Sequence, residues 1–192
     1  MPSAEEGYIV LSTHNQKADA INKEALEALR GKSYKYKAQI EGEFYEKAYP
    51  AEEVLELKEG AQVMFIKNDK GEQRKYYNGK IGFISRIEEE AIYVICNDVP
   101  DELKVEKEVW QNIRYQYEQQ QDALKEEVLG SFTQYPLRLA WAITIHKSQG
   151  LTFEKAIIDA GASFAAGQVY VALSRLTSLS GLILNSTIHI LN

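Results

Sequence analysis

WAITIHKSQGLTF, residues Trp141 to Phe153, is the stretch on which the reading of this chain turns. Its first half is apolar and β-branched, which is strand composition. Side chains alternate along a strand, so Thr144 and His146 share one face while Ile143 and Ile145 point the other way, into a core. The strand then breaks into Lys147-Ser148-Gln149-Gly150, a polar, cationic loop closed by glycine. Ammonium, hydroxyl and backbone N–H donors gathered in one loop are what a phosphate oxygen needs. The same four residues also make an ordinary solvated turn, and chemistry alone favours that plainer reading.

Beyond this loop, Lys155 to Asp159 (KAIID) reads as a second apolar strand, and Gln168 to Leu173 as a helix. Val169, Ala172, Leu173 and Leu176 fall on one apolar face, with Tyr170 and Arg175 off it. Gly181 to Leu184 restarts a strand. Arg175 is the only charged residue after Asp159. A lone arginine on an uncharged surface can reach across an interface. It can equally balance the dipole at a helix C-terminus, which is the blander expectation.

The N-terminal region has the same alternation of strand and helix. An apolar run, YIVLS, ends at Thr13, and Ala18, Ile21, Ala25 and Leu29 then recur at helical spacing up to Gly31. Thr13 and Gln16 have the spacing of a capping box, with Asn15 as a competing N-cap. The middle differs. Tyr34, Tyr36, Ala38 and Ile40 alternate with polar residues, as in a half-buried strand. Short strands are predicted at Val54–Leu57, Gln62–Lys67, Lys80–Ile87 and Ala91–Cys96, separated by turn signals such as Asn78-Gly79. Val105 to Tyr117 suggests a further pair, and Tyr115 to Val128 is ambiguous between strand and helix. The expected fold class is α/β, with one sheet-based domain interrupted by a small β-barrel.

Composition narrows the function classes. The chain has 192 residues, 45% apolar and 26% charged, which is globular composition. No apolar run is long enough for a membrane span, and the first residues have no secretory pattern, so a cytoplasmic location is expected. Cys96 is alone, within AIYVIC, and reads as a small buried hydrophobe. One cysteine and three scattered histidines supply no structural metal site. The net charge of −6 argues against clamping nucleic acid by bulk charge. The charge is uneven, however: residues 131–192 carry four basic and two acidic side chains, or +2, leaving −8 on the rest. The stretch Lys67 to Arg86 has six basic residues against two acidic ones, interleaved with Tyr76 and Tyr77. That mixture suits single strands, although small barrels also need aromatic residues to fill them.

Taken together, TIHKSQGLTF, a short strand and then GQVYVALSR resemble the fifth and sixth motifs of superfamily-one DNA helicases, closest to the RecD and PIF-type branch. LSTHNQKADAIN resembles that family's strand-to-helix entry into its second motor domain. LELKEGAQVMFIKND with YYNGKIGFI resembles its barrel insert, and SFTQYPLRLAWA the return from it. The resemblance covers about Tyr8 to Gly31, Val54 to Ile87 and Ser131 to Leu184. It implies a RecA-like (P-loop NTPase-type) motor domain at 1–57 and 133–192, interrupted at 58–132 by an SH3-like β-barrel. It also implies that Thr13, Asn15, Thr144, His146, Lys147 and Ser148 hold single-stranded DNA. Gln149 and Gly150 would lie on the nucleotide side of the loop, with Arg175 as an arginine finger directed at ATP. The implied parent is an ATP- and Mg2+-dependent DNA helicase moving 5′ to 3′ in repair or replication. Thr152 stands where the related UvrD type has an acidic residue for the ribose.

The chain lacks the Gly-x-x-x-x-Gly-Lys-Ser/Thr loop that wraps ATP phosphates. Gly31-Lys32 and Gly79-Lys80 have Leu26 and Arg74 in place of the upstream glycine. The missing half is expected in an N-terminal RecA-like partner domain, and the chain alone is expected to be inactive. Two other readings stand beside this one: a stand-alone nucleic-acid or protein binding module, and a small nucleotide-binding metabolic enzyme with a generic α/β sheet.

Overall fold

The computed structural model describes residues 7–71, 74–89, 91–118, 123–158 and 166–185. Both ends of the chain meet in one parallel sheet of order β12-β1-β13-β14. Its strands are β1 (Ile9–Ser12), β12 (Ala142–Thr144), β13 (Ala156–Ile158) and β14 (Leu182–Leu184). Helix α1 (Asn15–Ala28) follows β1, and α2 (Ala166–Leu173) lies between β13 and β14.

β12 is the edge of the parallel sheet, and α1 guards it. The Asn22 side chain donates to the Ala142 carbonyl and accepts from the Ala142 N–H, both at 2.9 Å. One amide thereby satisfies the backbone groups that an open edge would expose. The expected capping box does not form. His14 is the N-cap of α1 and makes no side-chain capping bond, because the Thr13 hydroxyl is paired instead with His14 Nδ1 at 2.7 Å.

The middle of the chain is antiparallel. A five-stranded sheet has the order β11-β5-β6-β7-β8. It comprises β5 (Gln62–Phe65), β6 (Ile81–Ile87), β7 (Ile92–Ile95), β8 (Leu103–Val105) and β11 (Leu137–Leu139). A long hairpin, β9 (Glu108–Glu118) and β10 (Ala123–Gln134), resolves the helix-or-strand ambiguity around Tyr115 in favour of strand. Its Tyr115 and Tyr117 are exposed, so hydrophobicity there did not imply a core.

Two predicted strands are each divided between sheets. The alternating run from Tyr34 becomes β2 (Tyr34–Lys37), paired with β4 (Val54–Leu57), and β3 (Gln39–Gly42), paired with β10. The apolar run Leu137 to Ile145 divides into β11 and β12 around Ala140 and Trp141. The first half stays antiparallel to β5, and only the second joins β1. The chain rejoins the parallel sheet at Ala142. Apolar composition alone does not report a change of sheet, because both halves carry buried apolar residues, Leu137 in the first and Ala142 and Ile143 in the second.

β5 explains how the two sheets share a core. Val63 and Phe65 pack with Leu55, Ile92 and Tyr135, whereas Met64 between them packs with Ile9, Ile143 and Phe153. Alternation on one doubly buried strand feeds two clusters. A third, smaller cluster is aromatic: Phe132 lies with Phe44, Tyr49 and Trp110 around it. Tyr76 stacks on Phe65 at 4.2 Å, while Tyr77 stays exposed with the Lys80 ammonium over its ring. The plainer reading of the tyrosine pair therefore holds for the first and not for the second. No helix among the described residues is long and apolar enough to cross a membrane.

Candidate functional site

Parallel strands open their C-terminal ends onto the same edge, which is where α/β sheets bind ligands. Here β1 and β12 are neighbours, with Ser12 opposite Thr144. The pairing continues one residue past the strands, the Ile145 N–H donating to the Ser12 carbonyl at 2.9 Å. The two following loops, Thr13-His14-Asn15 and Ile145 to Gly150, therefore leave the sheet side by side. Residues 132 positions apart in sequence, such as Ser12 and Thr144, are brought together by register alone.

The second loop is one tight turn. The Ser148 N–H donates to the Thr144 carbonyl at 3.0 Å, and its hydroxyl donates to the Ile145 carbonyl at 2.7 Å. The Lys147 N–H approaches Thr144 Oγ1 at 3.4 Å. Thr144 and Ser148 are both buried, whereas His146, Lys147, Gln149 and Gly150 are exposed. The hydroxyls expected to face a ligand thus shape the turn from beneath, and the imidazole and ammonium form its outer surface. Gly150 sits at φ +79°, the left-handed region in which only glycine is free of strain. Thr13 is half-buried and Asn15 exposed at the start of α1. The His14 side chain caps none of the N–H groups at the start of that helix, and a helix N-terminus favours an anion.

Arg175 lies just past α2 and is half-buried. Its Nε donates to the Val171 carbonyl at 3.2 Å, so the bland expectation of a helix-capping arginine is met in part. The guanidinium also reaches further. Nη1 donates to the Leu151 carbonyl at 3.4 Å, and Nη2 to Ser174 Oγ at 2.9 Å. Leu151 directly follows Gly150, so the arginine is attached to the end of the cationic turn. The backbone reinforces this: the Phe153 N–H donates to the Arg175 carbonyl at 2.7 Å, and the Thr177 N–H to the Phe153 carbonyl at 3.0 Å. Leu151 is the residue that sequence reasoning missed, because a backbone carbonyl leaves no signature in composition or spacing.

No protein-family model matches the chain. Relatives do. An ATP-dependent DNA helicase Pif1 of Campylobacter jejuni is 36% identical over 97% of this chain and 44% of its own length. Unliganded Pif1 from Bacteroides superposes with a TM-score of 0.89 at 38% identity, over 97% of this chain and 42% of that one. Bacteroides Pif1 bound to single-stranded DNA gives a TM-score of 0.74 at the same identity, over 98% and 42% of the two chains. The chain spans less than half the length of these relatives. In sequence over nearly all its residues, and in fold, the chain corresponds to a domain-length part of the Pif1-type superfamily-one helicases.

Proposed function

We propose that this chain acts as the second motor domain of an ATP-dependent DNA helicase. Its loops at the ends of β1 and β12 grip single-stranded DNA, and Arg175 faces nucleotide held with an N-terminal RecA-like domain. Thr13, Asn15, His146 and Lys147 take the sugar-phosphate backbone, while Thr144 and Ser148 hold the turn in shape. Gln149 and Gly150 lie toward the nucleotide. The antiparallel middle of the chain serves as an SH3-like barrel insert between the two halves of the motor domain. Movement runs 5′ to 3′, in DNA repair or replication.

The observation that carries this reading is the bond from Arg175 to the Leu151 carbonyl. It ties the proposed finger to the loop that carries the proposed DNA grip, so a shift of one moves the other. ATP with Mg2+ would supply the free energy for stepping. The residues here fit one part of that demand, since a guanidinium can stabilise charge developing on a phosphoryl group. The phosphate-wrapping loop has no counterpart in this sequence. The purified chain is accordingly expected to hydrolyse ATP negligibly. In a helicase containing both motor domains, Arg175→Ala is expected to lower turnover roughly a thousand-fold while affecting nucleotide binding far less. Turnover within a few-fold of wild type would remove the role of Arg175.

A further inference from the structure

A cleft of about 410 Å³ runs along α1, between that helix and the strands β4 and β11. At one end it is lined by Asn15 and Lys147, two of the residues already proposed to hold DNA, and by Thr144, which shapes the turn between them. Arg138 of β11 also lines it. This arginine is poorly compensated for so enclosed a charge. Its Nε is buried without a hydrogen-bond partner, and Nη2 has only the Pro50 carbonyl at 3.4 Å. No ion pair to it occurs among the described residues.

A guanidinium withdrawn from water costs free energy unless an anion or a full set of acceptors meets it. Burial lowers the Arg138 pKa, and the two carboxylates that oppose this, Glu52 and Asp19, act only through space. With Glu56 they make the cleft mixed in charge rather than a basic channel. A long polyanion would not be drawn along it. A single anionic group beside Arg138 would instead supply the missing partner, and the planar guanidinium suits the two free oxygens of a phosphodiester.

We propose that this cleft is a phosphate subsite for single-stranded nucleic acid, in which Arg138 receives one phosphodiester beyond those held at the ends of β1 and β12. The inference rests on the DNA-gripping reading above. It adds a contact on β11, in the antiparallel sheet, so that a bound strand would touch both sheets of the chain. Binding would then depend on how the two sheets stand to one another, because Lys147 and Arg138 belong to different ones.

The test is binding of fluorescein-labelled oligothymidylate to the full chain, followed by anisotropy across a salt series. Arg138→Met removes the charge but keeps an unbranched chain of similar reach. It is expected to fold with a melting temperature at or above that of wild type, because a poorly paired buried charge is replaced by an apolar group. Binding is expected to weaken roughly five- to ten-fold, with the slope of log affinity against log salt shallower by about 0.7, one phosphate contact on a single strand. Arg138→Lys is expected to keep the wild-type slope. A merely structural arginine would leave that slope unchanged. Equal affinity and slope in Arg138→Met would overturn the subsite while leaving the grip at His146 and Lys147 intact. A melting temperature well below wild type, or failure to fold, would overturn the premise that the charge is uncompensated. If the wild-type chain itself failed to bind, the DNA-gripping reading would fall and the subsite with it.

Discussion

Arg175 and Leu151, 24 positions apart in sequence, are joined by a guanidinium-to-carbonyl hydrogen bond of 3.4 Å. A shorter backbone bond, from the Phe153 N–H to the Arg175 carbonyl at 2.7 Å, makes the link between the two segments firm. Leu151 is held from the other direction as well. Its side chain packs under the turn at Gly79, where an added Cβ would stand 3.1 Å from Leu151 Cδ2. The antiparallel sheet therefore buttresses the loop to which the arginine is attached.

Gly79→Ala tests that buttress. Gly79 sits at φ +100°, where a Cβ is strained regardless of neighbours, and Leu151 offers little room. The substitution is expected to cost about 2 kcal/mol of unfolding free energy, read from urea denaturation. An unchanged midpoint would mean that the turn adapts freely and transmits nothing to Leu151.

Gln62 joins the two sheets through one side chain. Its Nε2 donates to the Tyr8 carbonyl at 2.9 Å, ahead of β1, and to the Ala140 carbonyl at 2.8 Å, between β11 and β12. Gln62→Leu would leave both carbonyls without that donor inside the protein. A loss of about 2 kcal/mol is expected. Hydrogen exchange should quicken most at the Ala140 to Ala142 crossover, and uniform quickening across the chain would contradict a local seam.

The aromatic cluster gives the largest expected effect on stability. Phe132 is fully buried, with Tyr49 at 4.9 Å, Phe44 at 5.7 Å and Trp110 at 6.1 Å between ring centroids. Phe132→Ala is expected to cost about 3–5 kcal/mol in chemical denaturation. A loss below about 1 kcal/mol would show that the β3–β10–β9 sheet contributes little to global stability.

Cys96 is buried, and burial pushes its thiol pKa up to about 11. At pH 8 the thiolate, which is the reactive form, is about one part in a thousand of the native population. The native chain is therefore expected to react with a disulfide reagent far more slowly than the urea-unfolded chain. Equal rates would place the sulfur at the surface.

Much of the α/β core could be read directly from residues. Helices α1 and α2 fall where helical spacing put them, and outside that core the antiparallel strand at Val54–Leu57 has the bounds expected of it. The register of apolar positions is a local property, so local sequence reports it. The helix start stays open in the sequence because Thr13 and Asn15 both offer an N-cap oxygen; in the structure His14, between them, takes the N-cap position and its ring pairs with the Thr13 hydroxyl.

What the sequence determined by itself was where most strands and helices lie, the segment around Tyr115 excepted, and that Lys147, His146 and Arg175 carry charge or donors in otherwise apolar surroundings. What only tertiary structure decided was partnership. Whether Leu137 to Ile145 serves one sheet or two, which hydroxyls of Thr144 and Ser148 face inward, and which carbonyl receives Arg175 all depend on contacts between distant segments. Such contacts are fixed by packing and by strand register. Neither is written in the order of neighbouring residues, because the forces that set them act through space and not along the chain.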